Sequence, residues 1–339
     1  MARVFVTGGT GFIGGHLVEA LVARGDHVRC LARPKSDTSL LKAAGAEIVP
    51  GDVSDSEAIA RGVAGADEVY HLAGLTLGVS VRALHEANAL GAERVAAACA
   101  RQATPPVMVL VSSLAAAGPA RPGLIRRPTD PPCPISNYGR SKRAGELCVA
   151  RFARQVPISV VRPGVVFGPR GRAILPVFQM IQRTGFHIVP FYNPPLLSFI
   201  DARDLVTMLL CAAERGERIA VDAAATDAPG RGYYFAAVPE HLNWKQLGLS
   251  IGQAMDGRTV TIFYAPEPLP WLVASLSETL IRLRVSPADL TIDKIREAAA
   301  PSWACCGESA WRQLDCQPAY SLHDRLRQSV EWYREMKWM

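Results

Sequence analysis

The chain has 339 residues, of which 49% are hydrophobic and 20% are charged. This length and composition allow one large domain or two moderate ones around a sizeable core, and they exclude an intrinsically disordered chain. The formal net charge is +6, but basic residues are scattered among acidic ones and form no single block. We therefore predict a small-molecule partner and no nucleic-acid partner.

The first fourteen residues predict a nucleotide-binding turn. Residues 1–6 have the pattern of a buried strand, residues 15–22 that of a helix, and residues 7–14 read Thr-Gly-Gly-Thr-Gly-Phe-Ile-Gly. Gly8, Gly11 and Gly14 would allow a tight turn, close approach of a pyrophosphate to the backbone, and close packing of the helix on the strand. The helix N-terminus would attract the phosphates. A glycine turn directly after a strand therefore predicts a dinucleotide site.

Short apolar runs alternate with helical patterns through the first half of the chain. Strands are predicted at residues 4–7, 27–31, 47–50, 68–72, 107–112 and 158–162. Long helices are predicted at residues 82–101 and 137–154, and an amphipathic helix at residues 322–336. This alternation is typical of an α/β protein with a doubly wound parallel sheet.

The sequence changes character after residue 169. Residues 170–197 and 226–318 contain more proline, aromatic and irregular sequence, whereas residues 199–213 have the pattern of a return to the sheet. We therefore assign residues 1–169 plus 198–225 to a dinucleotide-binding domain. Residues 170–197 plus 226–339 are assigned to a smaller carboxyl-side substrate-binding region that ends in a helix.

Tyr138 and Lys142 are the candidate catalytic pair. Their separation of four residues places the phenol and the ammonium on one face of a predicted helix. Upstream, the strand at 107–111 ends in Ser112 and Ser113. Either feature alone would be read as an ordinary surface pair or a turn. Together with the glycine turn, and in this order, they argue against coincidence and indicate one functional site.

With these motifs the chain resembles the extended short-chain dehydrogenases/reductases, a family that includes sugar-nucleotide epimerases, 3β-hydroxysteroid dehydrogenases and dihydroflavonol reductases. The resemblance covers nearly the whole chain. Further family motifs are matched by Asp52, His71-Leu72-Ala73-Gly74, Asn88, Ser113, residues 162–169 and residues 199–205. The resemblance implies a Rossmann-type fold and an NAD(P)-dependent enzyme. It also implies a homodimer built on the two long helices.

The resemblance implies that Tyr138 transfers a proton while hydride moves to or from the nicotinamide. A free phenol has a pKa of about 10, and Lys142 would favour the phenolate by charge attraction. Tyr138 would then take the proton of a secondary alcohol or give it to a ketone. By the same resemblance, Ser113 holds the substrate oxygen, with Ser112 as the adjacent alternative. Lys142 would also hold the nicotinamide ribose, and Asn88 would order the site.

The end of the second predicted strand favours NADP over NAD. An acidic residue there would bind the ribose 2′-hydroxyl of NAD, whereas an arginine can pair with the 2′-phosphate of NADP. The sequence has Arg33 and Lys35 and no acid, although Arg33 could instead stack on adenine. Asp52 is predicted to accept a hydrogen bond from the adenine amine, with helix capping as the alternative. The predicted cofactor-binding residues are Gly8, Gly11, Phe12, Ile13, Gly14, Arg33, Lys35, Asp52, Val53, Leu72, Ala73, Gly74, Tyr138, Lys142, Pro163, Val165 and Val166.

The predicted substrate is lipophilic. Family members that act on nucleotide sugars often carry an asparagine where this chain has Gly164. Apolar runs at residues 173–178 and 188–192 favour a pocket for a sterol, a steroid or another polycyclic lipid. We therefore predict interconversion of a secondary alcohol and a ketone, as in the 3β-hydroxysteroid dehydrogenase and dihydroflavonol reductase branch. Decarboxylation of a 4-carboxysterol is one version of this reaction known in that branch.

Two alternatives remain open. Arg170, Arg172 and Arg183 could clamp a diphosphate, which would suit a sugar-nucleotide epimerase or dehydratase. The chain could also be a nucleotide-binding regulatory protein that is catalytically silent. The intact set of serine, tyrosine and lysine argues against that second alternative.

Cysteine spacing and hydropathy predict a cytoplasmic protein. The eight cysteines form no Cys-x-x-Cys pair and no cluster with zinc spacing, as expected of reduced thiols and of a protein without a metal site. No stretch approaches the length of a transmembrane helix, and the first strand leaves no room for a signal peptide. Residues 269–276 are apolar and are predicted to form a core or pocket helix, with peripheral membrane contact as the alternative.

Overall fold

The structure confirms the predicted alternation of strands and helices. The computed structural model describes residues 1–76, 80–220, 230–282 and 291–339, with the backbone alone at 279–282. The strands are β1 (Arg3–Thr7), β2 (His27–Ala32), β3 (Glu47–Pro50), β4 (Glu68–His71), β5 (Val107–Val111), β6 (Ile158–Pro163), β7 (Val165–Phe167), β8 (Phe186–Pro190), β9 (Leu196–Asp201), β10 (Tyr233–Ala236), β11 (His241–Asn243), β12 (Thr261–Ala265) and β13 (Ser302–Trp303). The helices are α1 (Phe12–Ala23), α2 (Ser39–Ala44), α3 (Ser56–Val63), α4 (Val81–His85), α5 (Gly91–Ala100), α6 (Leu114–Ala117), α7 (Asn137–Ala150), α8 (Leu175–Thr184), α9 (Ala202–Arg215), α10 (Trp244–Ala254), α11 (Pro268–Arg282), α12 (Ile292–Ala298), α13 (Glu308–Gln313) and α14 (Leu322–Glu335).

Seven parallel strands form the central sheet, in the order β10-β6-β5-β4-β1-β2-β3. β1 lies between β2 and β4, with Thr7 opposite Leu31 on one side and His71 on the other. The six strands predicted in the first half of the chain all occur, and each end lies within one residue of its predicted position. Because the strand order reverses between β1 and β4, the carboxyl ends of these two strands leave a crevice of the kind that binds ligands in doubly wound sheets.

Helices cover both faces of the central sheet. On one face, Leu17 of α1 and Leu209 of α9 are completely buried in a shared core cluster. On the other face, Ile59 of α3 and Val95 of α5 are equally buried in a second cluster. Strands covered on both faces need continuous apolar sequence, which is why β1 shows no alternation of polar and apolar residues.

The long helix predicted at residues 82–101 is interrupted. α4 ends at His85, a π-helical turn occupies Glu86–Leu90, and α5 begins at Gly91. Single π-helical turns inside helices occur frequently at functional sites. This turn carries Asn88, which the sequence placed in the candidate active site.

A second sheet joins segments from the carboxyl-side half. Its order is β11-β9-β13, and β7 also pairs with β9. β9 therefore belongs to this sheet, although its following helix α9 packs on the central sheet as predicted. The boundary at residues 225 and 226 lies outside the described residues.

The seventh strand of the central sheet comes from the range that we had assigned to the substrate-binding region. β10 pairs with β6, and Tyr233 lies opposite Val160. The assignment of residues 226–339 was therefore wrong at this strand, because a strand's partner cannot be read from its own residues. The division into two regions otherwise stays a prediction.

The apolar segment at residues 269–276 is not a core helix. In α11, Pro270 and Ala274 are buried, but Leu272 is 67% exposed and Leu276 is 62% exposed. The segment is apolar at nearly every position, so its sequence could not reveal that only one face is covered. Among the described residues, no helix combines the length and the hydropathy needed to cross a membrane.

The apolar runs at residues 173–178 and 188–192 divide between core and surface. Ile174 and Phe178 are completely covered in a cluster around the second sheet, and the Phe178 ring packs edge-on against Tyr333 at 5.2 Å. Ile188 and Tyr192 are more than half exposed. The prediction that these runs line a substrate pocket is not supported at these positions.

Candidate active site

The glycine turn forms a cradle at the carboxyl end of β1. Gly8 has a φ of +80°, and a Cβ there would lie 2.6 Å from the backbone nitrogen of Ala73. A Cβ at Gly14 would lie 2.1 Å from the carbonyl oxygen of Gly8. Among the described residues, no side chain caps the N-terminus of α1 at Gly11, and its first turn carries no acidic residue. The Gly11 amide donates to the Gly8 carbonyl oxygen at 3.0 Å, but no side chain accepts from the first amides of the helix, which can therefore bind an anion such as a dinucleotide pyrophosphate.

A cleft of about 600 Å³ opens beside this turn. It runs along the carboxyl ends of β1, β2, β3 and β4, at the crevice that the reversal of strand order leaves between β1 and β4. Its walls are formed by Gly8, Thr10, Gly11, Leu31, Ala32, Arg33, Ser36, Gly51, Asp52, Val53, Ser54, Leu72, Ala73, Gly74, Leu75, Ala83, Glu86 and Ala87. Eight of the predicted cofactor residues are in this set: Gly8, Gly11, Arg33, Asp52, Val53, Leu72, Ala73 and Gly74.

Arg33 and Asp52 both lie in the walls of this cleft. Arg33 is exposed, and the Asp52 carboxylate accepts hydrogen bonds from the Ser54 amide and hydroxyl at 2.7 and 2.5 Å. These bonds hold the pKa of Asp52 below its usual value, and attraction to the Arg33 guanidinium adds to the effect. The capping of α3 falls instead to Asp55, whose carboxylate accepts from the Glu57 and Ala58 amides. Asp52 is thus free of the helix-capping role that we had weighed for it.

Other predicted cofactor residues lie away from the walls of this cleft. Phe12 and Ile13 are in the first turn of α1, where Phe12 packs against the His16 ring at 5.7 Å. Lys35 is exposed beyond Arg33. Pro163 ends β6, and the neighbouring Val165 and Val166 are half-buried in β7, which pairs with β9. Their contacts with a cofactor stay predictions, as does that of Gly14.

Tyr138 and Ser113 meet at the head of α7. Tyr138 is half-buried in the first turn of this helix, and the Ser113 side chain lies near its phenol. Burial raises the pKa of Tyr138 to about 12; the nearby Ser113 hydroxyl opposes this rise, and the charge of Glu297 adds to it. At neutral pH the phenol is therefore protonated and able to donate.

Lys142 is anchored to the end of β5, one helical turn after Tyr138. Its side chain is 7% exposed, and Nζ donates to the carbonyl oxygen of Val111 at 2.7 Å. Burial lowers the pKa of Lys142 to about 8, against the attraction of the Glu146 carboxylate. The ammonium group therefore lies inside the protein, on the same helix as the tyrosine, with a fixed backbone partner.

Asn88 and Gly74 connect the cleft to the catalytic helix. The Asn88 amide accepts from the Leu75 amide at 2.8 Å and donates to the Ser141 hydroxyl of α7 at 2.8 Å. A Cβ at Gly74 would lie 2.5 Å from Asn88 Oδ1 and 3.7 Å from Lys142 Nζ. Gly74 is therefore the point where the cofactor cleft reaches the predicted catalytic residues.

A buried ion network beneath these residues was missed by the sequence analysis. Glu146 is completely buried and accepts hydrogen bonds from Arg162 at 2.6 and 2.8 Å, from Arg143 at 3.1 Å and from the Ser112 hydroxyl at 2.5 Å. Burial alone would raise the pKa of this carboxyl, but Arg162, Arg143 and Ser112 overcome it and lower the pKa. The signal was present, since residues 138, 142 and 146 share one helical face. Ser112 is thus engaged with Glu146, while Ser113 faces Tyr138.

The helix α12 contributes carboxylates to the N-terminus of α7. Asp293 accepts from the Asn137 amide at 2.7 Å and from the Tyr138 amide at 3.3 Å. Glu297 accepts from the Ser136 hydroxyl at 2.5 Å. Negative charge at a helix N-terminus is stabilising. Because these contacts join residues more than 150 positions apart, no sequence pattern indicated them.

Comparison with known proteins identifies relatives across the whole chain. A model described as the NAD dependent epimerase/dehydratase family matches residues 4–223. A ceramide reductase of Caulobacter vibrioides is 27% identical, over 99% of this chain and 96% of that protein. A 4-hydroxy-2-methyl-3-oxo-4-farnesyl-3,4-dihydroquinoline-1-oxide ketoreductase of Stigmatella aurantiaca is 36% identical, over 63% of this chain and 65% of that protein. The sterol demethylase protein B of Methylococcus capsulatus is 31% identical, over 63% of this chain and 66% of that protein.

Solved structures share the fold over the full length of the chain. A structure described as gox2253 has a TM-score of 0.78 and 22% identity, and the match covers 100% of both chains. MoeE5 in complex with UDP-glucuronic acid and NAD has a TM-score of 0.74 and 22% identity, with 98% of this chain and 99% of that chain covered. At these identities the likeness shows the Rossmann-type architecture alone.

Proposed function

The chain belongs to the NAD-dependent epimerase/dehydratase family, and we propose that this member interconverts a ketone and a secondary alcohol on a lipophilic substrate. It is an NAD(P)-dependent enzyme of the extended short-chain dehydrogenase/reductase type. The proposal is supported by two observations: the Lys142 ammonium lies near Gly74 in the wall of the cofactor cleft, and Ser113 lies near the phenol of Tyr138 one helical turn before Lys142.

The site is suited to reduction of a ketone. A bound nicotinamide cofactor would supply the hydride. Tyr138 is protonated at neutral pH and donates its phenolic proton to the carbonyl oxygen, while Ser113 holds that oxygen by a hydrogen bond. As the phenol becomes a phenolate, the charge of Lys142 stabilises it across one helical turn. In the reverse reaction, Tyr138 would first have to lose a proton, which its burial disfavours.

Two features support a lipophilic substrate over a nucleotide sugar. A Cβ at Gly164 would lie 2.4 Å from the carbonyl oxygen of Ser198 in β9, so this backbone has no room for an asparagine. Two of the three arginines that could clamp a diphosphate are also engaged elsewhere. Arg170 donates to the Glu19 carboxylate at 2.7 and 2.8 Å, and Arg172 lies over the Trp338 ring at 5.1 Å.

The named relatives favour the same substrate class. Their names describe a ceramide, a farnesylated quinoline oxide and a sterol as substrates, and the first two are reductases. Long-chain ketones therefore join sterols and steroids as candidates for this chain. We also propose NADP as the preferred cofactor, because Arg33 lies in the cleft wall and can pair with a 2′-phosphate. A homodimer and a cytoplasmic location, with peripheral membrane contact, complete the proposal.

A substrate panel tests the proposal. Oxidised and reduced cofactor would be incubated with long-chain 3-ketolipids, hydroxysteroids, 4-carboxysterols, and UDP- and dTDP-linked sugars, and cofactor absorbance would be followed. We expect turnover of lipophilic ketones or alcohols and none of the sugars, because Gly164 leaves no room for a diphosphate-binding asparagine and Arg170 and Arg172 are engaged elsewhere. A bound diphosphate would then lack partners, which is strongly unfavourable. Epimerised or dehydrated sugar products would establish the nucleotide-sugar alternative. Absence of turnover with intact cofactor binding would favour the regulatory alternative.

A further inference from the structure

The carboxyl-side region presents an apolar surface that the proposed reaction does not use. It consists of the outer face of the β8/β12 ribbon, the residue that follows β8, and the outer face of α11. We call this surface the apolar face. Its exposed side chains are Phe186, Ile188, Tyr192, Phe263, Leu269, Trp271, Leu272, Val273 and Leu276. Soluble monomers rarely expose contiguous apolar patches of this kind without a function.

The ribbon and α11 pack against each other through the segment that follows β8. Within the ribbon, Phe186 and Phe263 pack edge to face with ring centroids 5.1 Å apart. Tyr192, which follows β8, stacks on Tyr264 of β12 at 5.7 Å. Its neighbour Phe191 packs in a small cluster with Ala274 of α11. The ribbon and the helix are therefore joined at residues 191 and 192.

The apolar face lies next to the catalytic helix. The cluster of Phe191 and Ala274 also contains Ile295 of α12. Two residues earlier on α12, Asp293 accepts hydrogen bonds from the Asn137 and Tyr138 amides at the head of α7. Two packed layers therefore separate the exposed side chains of α11 from the start of the catalytic helix.

The charges around the apolar face are mainly basic. Residues 183–192 and 258–276 contain three charged side chains, Arg183, Arg258 and Glu267. β8 and β12 are parallel, and each arginine precedes its strand by three residues, Arg183 in the last turn of α8 and Arg258 in the loop before β12. Both therefore belong to the segments that enter the amino end of the ribbon. Both are exposed, and neither makes an ion pair within the part of the chain that the structure describes. Aromatic and aliphatic side chains bordered by arginine are typical of surfaces that bind the interface of an anionic membrane.

We propose that the apolar face docks the enzyme on the surface of a lipid bilayer that contains anionic headgroups. The aromatic and leucine side chains enter the headgroup boundary, while Arg183 and Arg258 contact the headgroups. The purpose of this docking rests on the proposed function, since a lipophilic ketone dissolves in the bilayer and would reach the site from there. The docking itself needs no substrate, so the two ideas can fail separately.

Vesicle binding of the full chain tests the docking. Sedimentation would be measured with vesicles of phosphatidylcholine alone and of phosphatidylcholine with phosphatidylglycerol. We expect binding to the mixed vesicles and a blue shift of tryptophan emission that is lost in Trp271→Phe. The double variant Leu272→Glu/Leu276→Glu should weaken vesicle binding at least about tenfold. Each leucine side chain that enters the bilayer contributes to the free energy of transfer from water, and both contributions are lost. Arg183→Ala should weaken binding to the mixed vesicles about fivefold and leave binding to phosphatidylcholine unchanged.

Leu124→Glu provides the matched control. Leu124 is 57% exposed and lies outside the apolar face, so the same substitution there should leave vesicle binding unchanged. Turnover of a lipophilic substrate in detergent, measured for the double variant, reports whether its active site remains intact. Equal vesicle binding by wild type and double variant, or no binding by wild type, would overturn the docking. A stable dimer in solution that the double variant dissociates would also overturn it and identify a second copy as the occupant.

Discussion

The phenol of Tyr138 and the ammonium of Lys142 have pKa values shifted by the same cause in opposite directions. Burial disfavours the charged form of each group, so it raises the pKa of Tyr138 to about 12 and lowers that of Lys142 to about 8. At neutral pH the site therefore contains a protonated phenol beside a lysine whose ammonium form is destabilised by burial. It does not contain a preformed phenolate. This arrangement favours donation to a carbonyl oxygen.

Tyr138→Phe tests the role of this donor. The substitution removes the hydroxyl and keeps the ring, so kcat should fall by a factor on the order of 10² or more. Cofactor affinity should change little, because the cleft walls stay intact. Both quantities can be measured by steady-state kinetics and cofactor titration. Turnover near the wild-type rate would remove Tyr138 from the mechanism.

Lys142 predicts the pH dependence of ketone reduction. Above about pH 8 the side chain loses its proton, and the charge that stabilises the developing phenolate is lost. The phenol itself remains protonated in this range. The rate of reduction should therefore decline as the pH rises through about 8, and the declining limb should be absent from the low residual rate of Lys142→Met. A wild-type profile that stays flat well above pH 8 would contradict this assignment.

Arg33 predicts the cofactor preference. Arg33→Ala removes the proposed charge-assisted bond to the 2′-phosphate. The substitution should weaken NADPH binding by about 1.5–3 kcal/mol and leave NADH binding nearly unchanged. Lys42→Ala on α2 is the matched control, since Lys42 is basic and exposed, lies outside the cleft walls and is not a predicted cofactor residue. Binding of both cofactors can be followed by fluorescence titration. Equal losses for NADPH and NADH would support stacking of Arg33 on adenine.

At the scale of elements, Glu146 connects α7 to β6 and to the end of β5. Its carboxylate bonds the Arg162 guanidinium of β6, which is 1% exposed, and the Ser112 hydroxyl directly before Ser113. The helix that carries Tyr138 is thereby fixed against the strand that precedes its partner serine. Because the pKa of Glu146 is lowered in the folded protein, its stabilising effect is present above the unfolded pKa and is lost as the pH falls through the folded value.

Glu146→Gln tests this connection. The substitution leaves the buried Arg162 guanidinium without its counter-charge, so the free energy of unfolding should fall by about 3 kcal/mol or more. Glu93→Gln on α5 is the control, because Glu93 pairs with the exposed Arg151 at 3.4 Å and such surface pairs contribute at most about 1 kcal/mol. Urea denaturation measures both variants. Equal stability of the two would show that the buried network is not needed for the fold.

At the scale of the whole molecule, one buried ion pair joins the C-terminal helix to the helices of the central sheet. Arg325 of α14 donates to the Asp204 carboxylate of α9 at 2.5 and 2.8 Å, and the two side chains are 5% and 1% exposed. The Ala319 amide also donates to Asp204, at 3.0 Å. The carboxyl-side region is therefore attached to the dinucleotide-binding side of the molecule through a group that water does not reach.

Arg325→Met tests this attachment. It leaves a buried carboxylate without its partner, so the free energy of unfolding should fall by about 3 kcal/mol. The double variant Asp204→Leu/Arg325→Met should recover part of the loss, because it removes the uncompensated charge. Arg327→Met, on the exposed side of α14, should change stability by at most about 0.5 kcal/mol. Urea denaturation of all three variants measures their free energies of unfolding. A double variant that is less stable than Arg325→Met would contradict this explanation.

The sequence by itself determined the elements whose cause is local. The glycines at 8, 11 and 14 follow a buried strand directly, and the Tyr138 and Lys142 spacing needs only one helix, so the turn, the six strands and the α/β class could be predicted. Only the tertiary structure decided which surfaces are covered and which distant groups meet. β10 entered the central sheet, Asp293 reached the head of α7, and α11 left its leucines exposed. These features depend on contacts between residues far apart in the chain, and periodicity within one segment carries no information about the partner that another segment provides.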